Sequence, residues 1–79
     1  MFEVARDTDA PSPRRLLSPR ELEVLEMAAH GLTNRQIAGS LSVSVHAVKF
    51  HLAAVYRKLG ARNRTEAAVA FLTDASAPN

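Results

Sequence analysis

Between Met27 and Thr65 the sequence contains no aspartate or glutamate, yet it holds Arg35, Lys49, Arg57, Lys58, Arg62 and Arg64. Guanidinium and ammonium groups with no acid among them have one obvious chemistry, the binding of a polyanion. The acids lie elsewhere, as Glu3, Asp7 and Asp9 near the start, Glu21, Glu23 and Glu26 in one cluster, and Glu66 and Asp74 near the end. The formal net charge of +2 over 79 residues therefore understates how basic the middle of the chain is. Charge alone is equally compatible with a solvated basic face, so further features must decide.

Other chemistries find little support. Glu21, Glu23 and Glu26 resemble an acidic site only by number. Glu21 completes an S-x-x-E pattern from Ser18, and acids in a first helical turn complement the helix dipole, so a structural role is expected. One of the three is expected to pair with Arg57 or Lys58. His30, His46 and His51 do not fall at i, i+4 spacing and no cysteine accompanies them, so no metal is expected. No Ser–His–Asp set, phosphate loop or nucleotide fingerprint occurs. The expectation is a protein that is not an enzyme, with no catalytic residue and no cofactor. The absence of cysteine excludes disulfides. No apolar run approaches the roughly 18 residues a bilayer span requires, and MFEVARDTDAPSPRR has no signal-type apolar stretch. A cytoplasmic, nucleoid-associated protein without membrane contact is expected.

The elements that must position the basic residues are written in capping chemistry. A hydrophobic content of 47% favours a packed fold over disorder. Ser18-Pro19-Arg20-Glu21 has the form of a capping box with proline at the first helical position. Thr33-Asn34-Arg35-Gln36 repeats it. Ser44 caps a third helix with an incomplete box, and Asn63-Arg64-Thr65-Glu66 opens a fourth. Gly31 and Gly60 suit the left-handed residue that ends a helix. The spacing predicts helices over about 19–30, 34–40, 45–59 and 64–73. Residues 1–15, rich in Pro, Asp and Ser, read as a flexible leader or linker, residues 16–73 as the domain, and 74–79 as a disordered tail.

Over 45–59 the apolar residues Val45, Val48, Leu52, Val55 and Leu59 recur at intervals of three and four, forming one stripe toward a core. His46, Lys49, Phe50, Ala53 and Arg57 lie on another side, which carries no acid and one aromatic. A short helix over 34–40 joins this longer one through a turn of about four residues, Leu41 to Ser44. That is the helix-turn-helix arrangement, in which the second helix enters the DNA major groove and the first braces the backbone. The expected fold class is all-α, a compact four-helix bundle containing a helix-turn-helix.

The stretch LSPRELEVLEMAAHGLTNRQIAGSLSVSVHAVKFHLAAVYRKLGARNRTEAAV resembles the LuxR/GerE-type helix-turn-helix domain, the output module of quorum-sensing and response-regulator transcription factors. The resemblance runs from Leu17 to about Leu72 and includes LSPRE, GLTNRQIA, the VK-H of the third helix, and RKLGARNRTEA in order. It implies a sequence-specific transcriptional regulator with double-stranded DNA as partner, and RNA polymerase as a further one. It places Lys49 and Phe50 where the recognition helix touches base edges, with His46 and Ala53 on the same face. Lys49 would donate to guanine O6 or N7, and Phe50 would meet a thymine methyl. Thr33, Asn34, Arg35, Ser44, Arg57, Lys58, Arg62 and Arg64 are the candidate phosphate contacts. The family often has Thr or Ser where this chain has Ala47, and some members carry a basic residue where it has Ala53, so the base-reading set is small.

The fourth helix is apolar on two sides. Ala67, Ala70 and Phe71 suit the core, whereas Ala68, Val69 and Leu72 form a second face. In the resembled family this helix makes the dimer contact, so a homodimer on an inverted-repeat site is expected. Two alternatives compete. One is a protein-docking module whose basic face meets an acidic partner. The other is a domain like region four of an RNA polymerase sigma factor, against which the fourth helix argues.

Overall fold

Local hydrogen bonds explain where the helices start. The computed structural model describes residues 12–76, with side chains through Asp74. Helix α1 spans Pro13–Leu16, α2 Pro19–Ala29, α3 Asn34–Leu41, α4 Val45–Leu59 and α5 Arg64–Ser76. At α2 the Glu21 N–H donates to Ser18 Oγ at 3.2 Å and the Ser18 N–H donates to Glu21 Oε1 at 2.9 Å. At α3 Thr33 and Gln36 make the same reciprocal pair, at 3.1 and 2.8 Å. Ser44 accepts from the Ala47 N–H at 3.0 Å, the half-box the sequence predicts. At α5 the Glu66 N–H donates to Asn63 Oδ1, but the Glu66 carboxylate reaches one residue further back than a box requires, to the Arg62 N–H at 2.7 Å.

Three helices stop in one way. Gly31, Ser42 and Gly60 all have positive φ, at 92°, 57° and 68°. After each, the next residue's N–H returns to a carbonyl five positions earlier: Leu32 to Met27, Val43 to Ala38, Ala61 to Tyr56. This bond satisfies carbonyls that the helix end would otherwise leave unpaired. Glycine supplies the left-handed residue twice. Ser42 supplies it once without glycine's freedom, which is why the sequence carries no stop signal there.

All described elements are helical, as expected, but five rather than four. Pro13–Leu16 belongs to the stretch expected to be a flexible leader through Arg15, and Pro13 is buried. Helix α5 continues to Ser76, so residues 74–76 are not the tail expected from 74 onward. Helix α1 packs on both α4 and α5, and Arg14 joins it to Phe71 and Asp74 near the end of α5, contacts that no local pattern encodes. The rest of the expected leader and tail, 1–11 and 77–79, lies outside the described residues.

The core has two parts joined at Tyr56. Val24, Ala28, Ile37, Ala38, Val48 and Leu52 form the first and hold α2, α3 and α4 together. Leu17, Leu25, Val55, Ala67 and Phe71 form the second and hold α5 against α2 and α4. Helix α2 feeds both because Val24 and Ala28 lie on one side of it and Leu25 on the adjacent side.

A charged tie supports this arrangement. Lys58, in the last turn of α4, donates from Nζ to Glu21 Oε1 at 2.8 Å. Glu21 is buried. The Lys58 hydrogen bond, followed by that from the Ser18 N–H, holds its carboxyl below the ordinary value of 4.5. A carboxylate depressed by folding adds stability that is complete above its ordinary value and is lost as pH falls through the folded one. Glu21→Gln is expected to cost about 1 kcal/mol at pH 7, a modest figure because Lys58 stays 40% exposed. It should also flatten the stability profile below pH 4.5. Urea melts of both proteins at several pH values measure this, and parallel acid limbs would show that the tie does not matter.

The two kinds of helix stop give opposite substitution signs. A Cβ at Gly60 would meet no atom within 4 Å, so Gly60→Ala tests backbone conformation alone. It is expected to destabilise by about 1 kcal/mol, while Ser42→Gly stabilises by roughly half that after the entropy gained by the unfolded chain. Thermal or urea denaturation of both variants should show the two shifts in opposite directions.

Candidate nucleic-acid interface

Helix α4 owes its outward face to its packing. Val48, Leu52, Ala54 and Val55 are buried on it. His46, Lys49, Phe50, Ala53 and Arg57 are all exposed, and their spacing of three, four, seven and eleven residues from His46 puts them along one side. Phe50 is 71% exposed, the largest value among the exposed large hydrophobic residues. Its ring stands edge-on to the half-buried His51, at 5.8 Å between ring centroids. Helices α3 and α4 meet at a bend of 107°, within the range of a helix-turn-helix. The connection is Ser42, Val43 and Ser44, one residue shorter than the sequence suggests, because Leu41 remains in α3.

The six basic residues between Met27 and Thr65 divide into two groups. Arg35 at the start of α3, and Lys49 and Arg57 on α4, are exposed and pair with no acid among the described residues. The others are tied. Lys58 holds Glu21. Arg62 pairs with Glu66 at 3.2 Å, at an 86% exposed position where such a pair contributes little. Arg64 donates to Asn34 Oδ1 at 2.8 Å and to the Leu32 carbonyl, which links the start of α5 to the start of α3. Two expected phosphate contacts, Asn34 and Arg64, thus hold each other. Thr33 and Ser44 use their hydroxyl oxygens as caps, each keeping its hydroxyl proton to donate.

The remaining candidates also have places. Glu23 pairs with Arg20 at 3.4 Å, and the His30 ring Nδ1 lies 2.8 Å from the Glu26 carbonyl. A shallow groove of about 430 Å³ lined by Glu23, Glu26, Met27, His30 and Leu32 shares no residue with the α4 face. Among the described residues no three His, Asp or Glu side chains converge as metal ligands would, and no single helix is long and apolar enough to cross a membrane. On α5, Ala67 and Phe71 are buried and Ala70 partly so, while Val69 and Leu72 are 56% and 45% exposed and Ala68 is half-buried. The sequence reading missed the buried Ala54, the left-handed Ser42 and the Asn34–Arg64 pair. Only Ala54 had a signal, since a small residue beside an apolar stripe suits close helix packing.

The chain spans 26–28% of the length of three curated relatives. It is 45% identical over 60 residues, 76% of this chain, to the nitrate/nitrite response regulator protein NarP of Escherichia coli. It is 46% identical over 63 residues, 80% of this chain, to the HTH-type quorum sensing-dependent transcriptional regulator RpaR of Rhodopseudomonas palustris. It is 41% identical over 64 residues, 81% of this chain, to the oxygen regulatory protein NreC of Staphylococcus aureus. Residues 15–71 match the profile described as bacterial regulatory proteins, luxR family, a span that takes in both the helix-turn-helix and the start of α5. By that match the chain belongs to the LuxR family of bacterial regulatory proteins.

Proposed function

We propose that this chain is a sequence-specific DNA-binding module of a transcriptional regulator, and that α4 is its recognition helix. The observation that carries the reading is the exposed, acid-free side of α4, which holds Lys49, Phe50 and Arg57 beyond a 107° bend. The major groove is about 12 Å wide and admits one such helix. Lys49 donates to guanine O6 or N7, Phe50 lies against a thymine methyl, and His46 and Ala53 approach the same base pairs. Thr33, Asn34 and Arg35 meet phosphates at the start of α3, Ser44 at the start of α4, and Arg57 and Arg62 on the flank. Lys58 and Arg64 contribute there only through donors left over from their internal bonds. RNA polymerase is the further partner of a regulator of this kind, acting on nucleoid DNA in the cytoplasm.

Selection from random duplex DNA at stated salt tests this reading. The wild type is expected to enrich a motif, and Lys49→Ala to bind it about 5- to 150-fold more weakly with relaxed preference at one position. If Arg35, Arg57 and Arg62 each neutralise one phosphate, log affinity should fall against log salt with a slope of about −3 per domain. No enriched motif, or binding indifferent to salt, would favour docking on an acidic protein instead.

We further propose that two copies pair through Ala68, Val69 and Leu72 of α5. Exposed apolar residues on a helix that already buries Ala67 and Phe71 support this. The pairing would set two recognition helices roughly 34 Å apart on an inverted repeat. Val69→Arg and Leu72→Arg are expected to abolish cooperative binding to the full site and to leave half-site affinity unchanged. Sedimentation with gel-shift titration reads both, and unchanged cooperativity would rule out this face.

A further inference from the structure

Helix α1 has four residues and no side-chain bond at its N-cap. A helix that short cannot persist by its own hydrogen bonds, so tertiary contacts hold it. Pro13 is buried, and Leu17 directly after α1 enters the core part that contains Phe71. The Arg14 guanidinium lies 5.6 Å from the centre of the Phe71 ring, and its Nε lies 3.3 Å from Asp74 Oδ2.

What these contacts do for α5 follows from the position of Asp74. It lies in the last turn of α5, where the carbonyl ends make the helix negative, and that turn has no basic residue. An acid there opposes the helix dipole and favours fraying. Arg14 offsets that charge from a different element. Asp74 Oδ2 is buried without a well-formed hydrogen bond, so charge and the stacking on Phe71 make up the contact. Contacts of this type are each worth little, and the Arg14 side chain is 54% exposed, so the clasp can open without unfolding the core.

We propose that α1 is a releasable clasp on the last turns of α5, and that its docking sets the strength of the homodimer. The clasped turns contain Leu72 and directly follow Val69, so the ordering of α5 and the presentation of its exposed apolar face are one event. Whatever displaces Pro13 and Arg14 loosens α5 from about Phe71 onward and weakens pairing, while the two capping boxes and the α4 face stay intact. The segment preceding the helix-turn-helix thereby acts on dimer strength without touching DNA. This inference rests on the α5 homodimer reading.

The test is amide hydrogen exchange on the 79-residue chain with sedimentation of the same samples, for the wild type, Arg14→Ala and the double variant Arg14→Ala with Asp74→Ala. Arg14→Ala should speed exchange at amides 72–74 about fivefold, leave α4 amides unchanged and weaken the dimer by a similar factor. Removing Asp74 in that background should recover much of the protection, because the acid opposing the dipole is gone. Unchanged exchange at 72–74 overturns the clasp, as does faster exchange spread equally over α4 and α5. Faster exchange at 72–74 with an unchanged dimer overturns its coupling to pairing. A wild type that never pairs, on or off DNA, defeats the homodimer reading and with it the coupling, whereas exchange at 72–74 still decides whether the clasp exists.

Discussion

The burial of Val24, Ile37 and Val48, each fully removed from solvent, is the constraint on which this domain depends. These three side chains come from α2, α3 and α4, so their contact fixes the 107° bend between α3 and α4. Helix α3 has eight residues, too few to be stable alone. Burying an aliphatic side chain of this size is worth about 1.5–3 kcal/mol, which is large against the few kcal/mol by which a small domain is stable. The outer side of α4 is then simply what the core does not use.

Placement of charge follows the same division. Where α4 turns back toward α2, Lys58 meets a buried carboxylate already fixed by Ser18, so that positive charge is structural. At the junction of α3 and α5, Arg64 is occupied by Asn34 and the Leu32 carbonyl. What remains exposed and without an acid partner among the described residues is Arg35, Lys49 and Arg57 on the helix-turn-helix itself, and Arg15 on α1. Counting arginines and lysines would overstate the surface offered to a polyanion. Sorting them by partner shows that the offered charge is concentrated on the two helices of the motif.

Much of this was legible in the sequence wherever the information is local. A capping box needs residues three apart, and both complete boxes stand where the S-x-x-E and T-x-x-Q patterns put them. Gly31 and Gly60 mark helix ends because few other residues adopt positive φ cheaply. The stripe of Val48, Leu52 and Val55 was plain from its period, but Ala54 lies about 100° round the helix from Val55. It is buried because α4 packs on α2, α3 and α5 at once, so its core-facing arc is wider than one stripe. Helix α1 was illegible because its one turn of local hydrogen bonds is too short to persist and the side-chain contacts that hold it are distant in sequence. Arg14 and Asp74 are 60 positions apart, and nothing near either residue announces the other. The division of the basic residues was only half legible. A pairing of the α2 acids with Arg57 or Lys58 was expected, but the choice of Lys58 depends on which side of α4 faces α2.

The small size of the α4 reading surface bears on how a site could be chosen. On the proposed reading, Lys49 and Phe50 supply most of the direct contact, because Ala47 and Ala53 on the same helix have neither donor nor charge. One well-made base contact discriminates by about 1–3 kcal/mol, so a single copy separates only a few base pairs from the rest. Phosphate contacts add affinity without adding choice. Pairing changes this arithmetic, since two copies at fixed spacing multiply two weak preferences and add a demand on the distance between half-sites. If α4 reads DNA and α5 pairs two copies as proposed, the geometry of α5 would contribute to specificity alongside the side chains of α4. On that proposal the residues that order α5 would belong to the recognition apparatus without themselves reading a base.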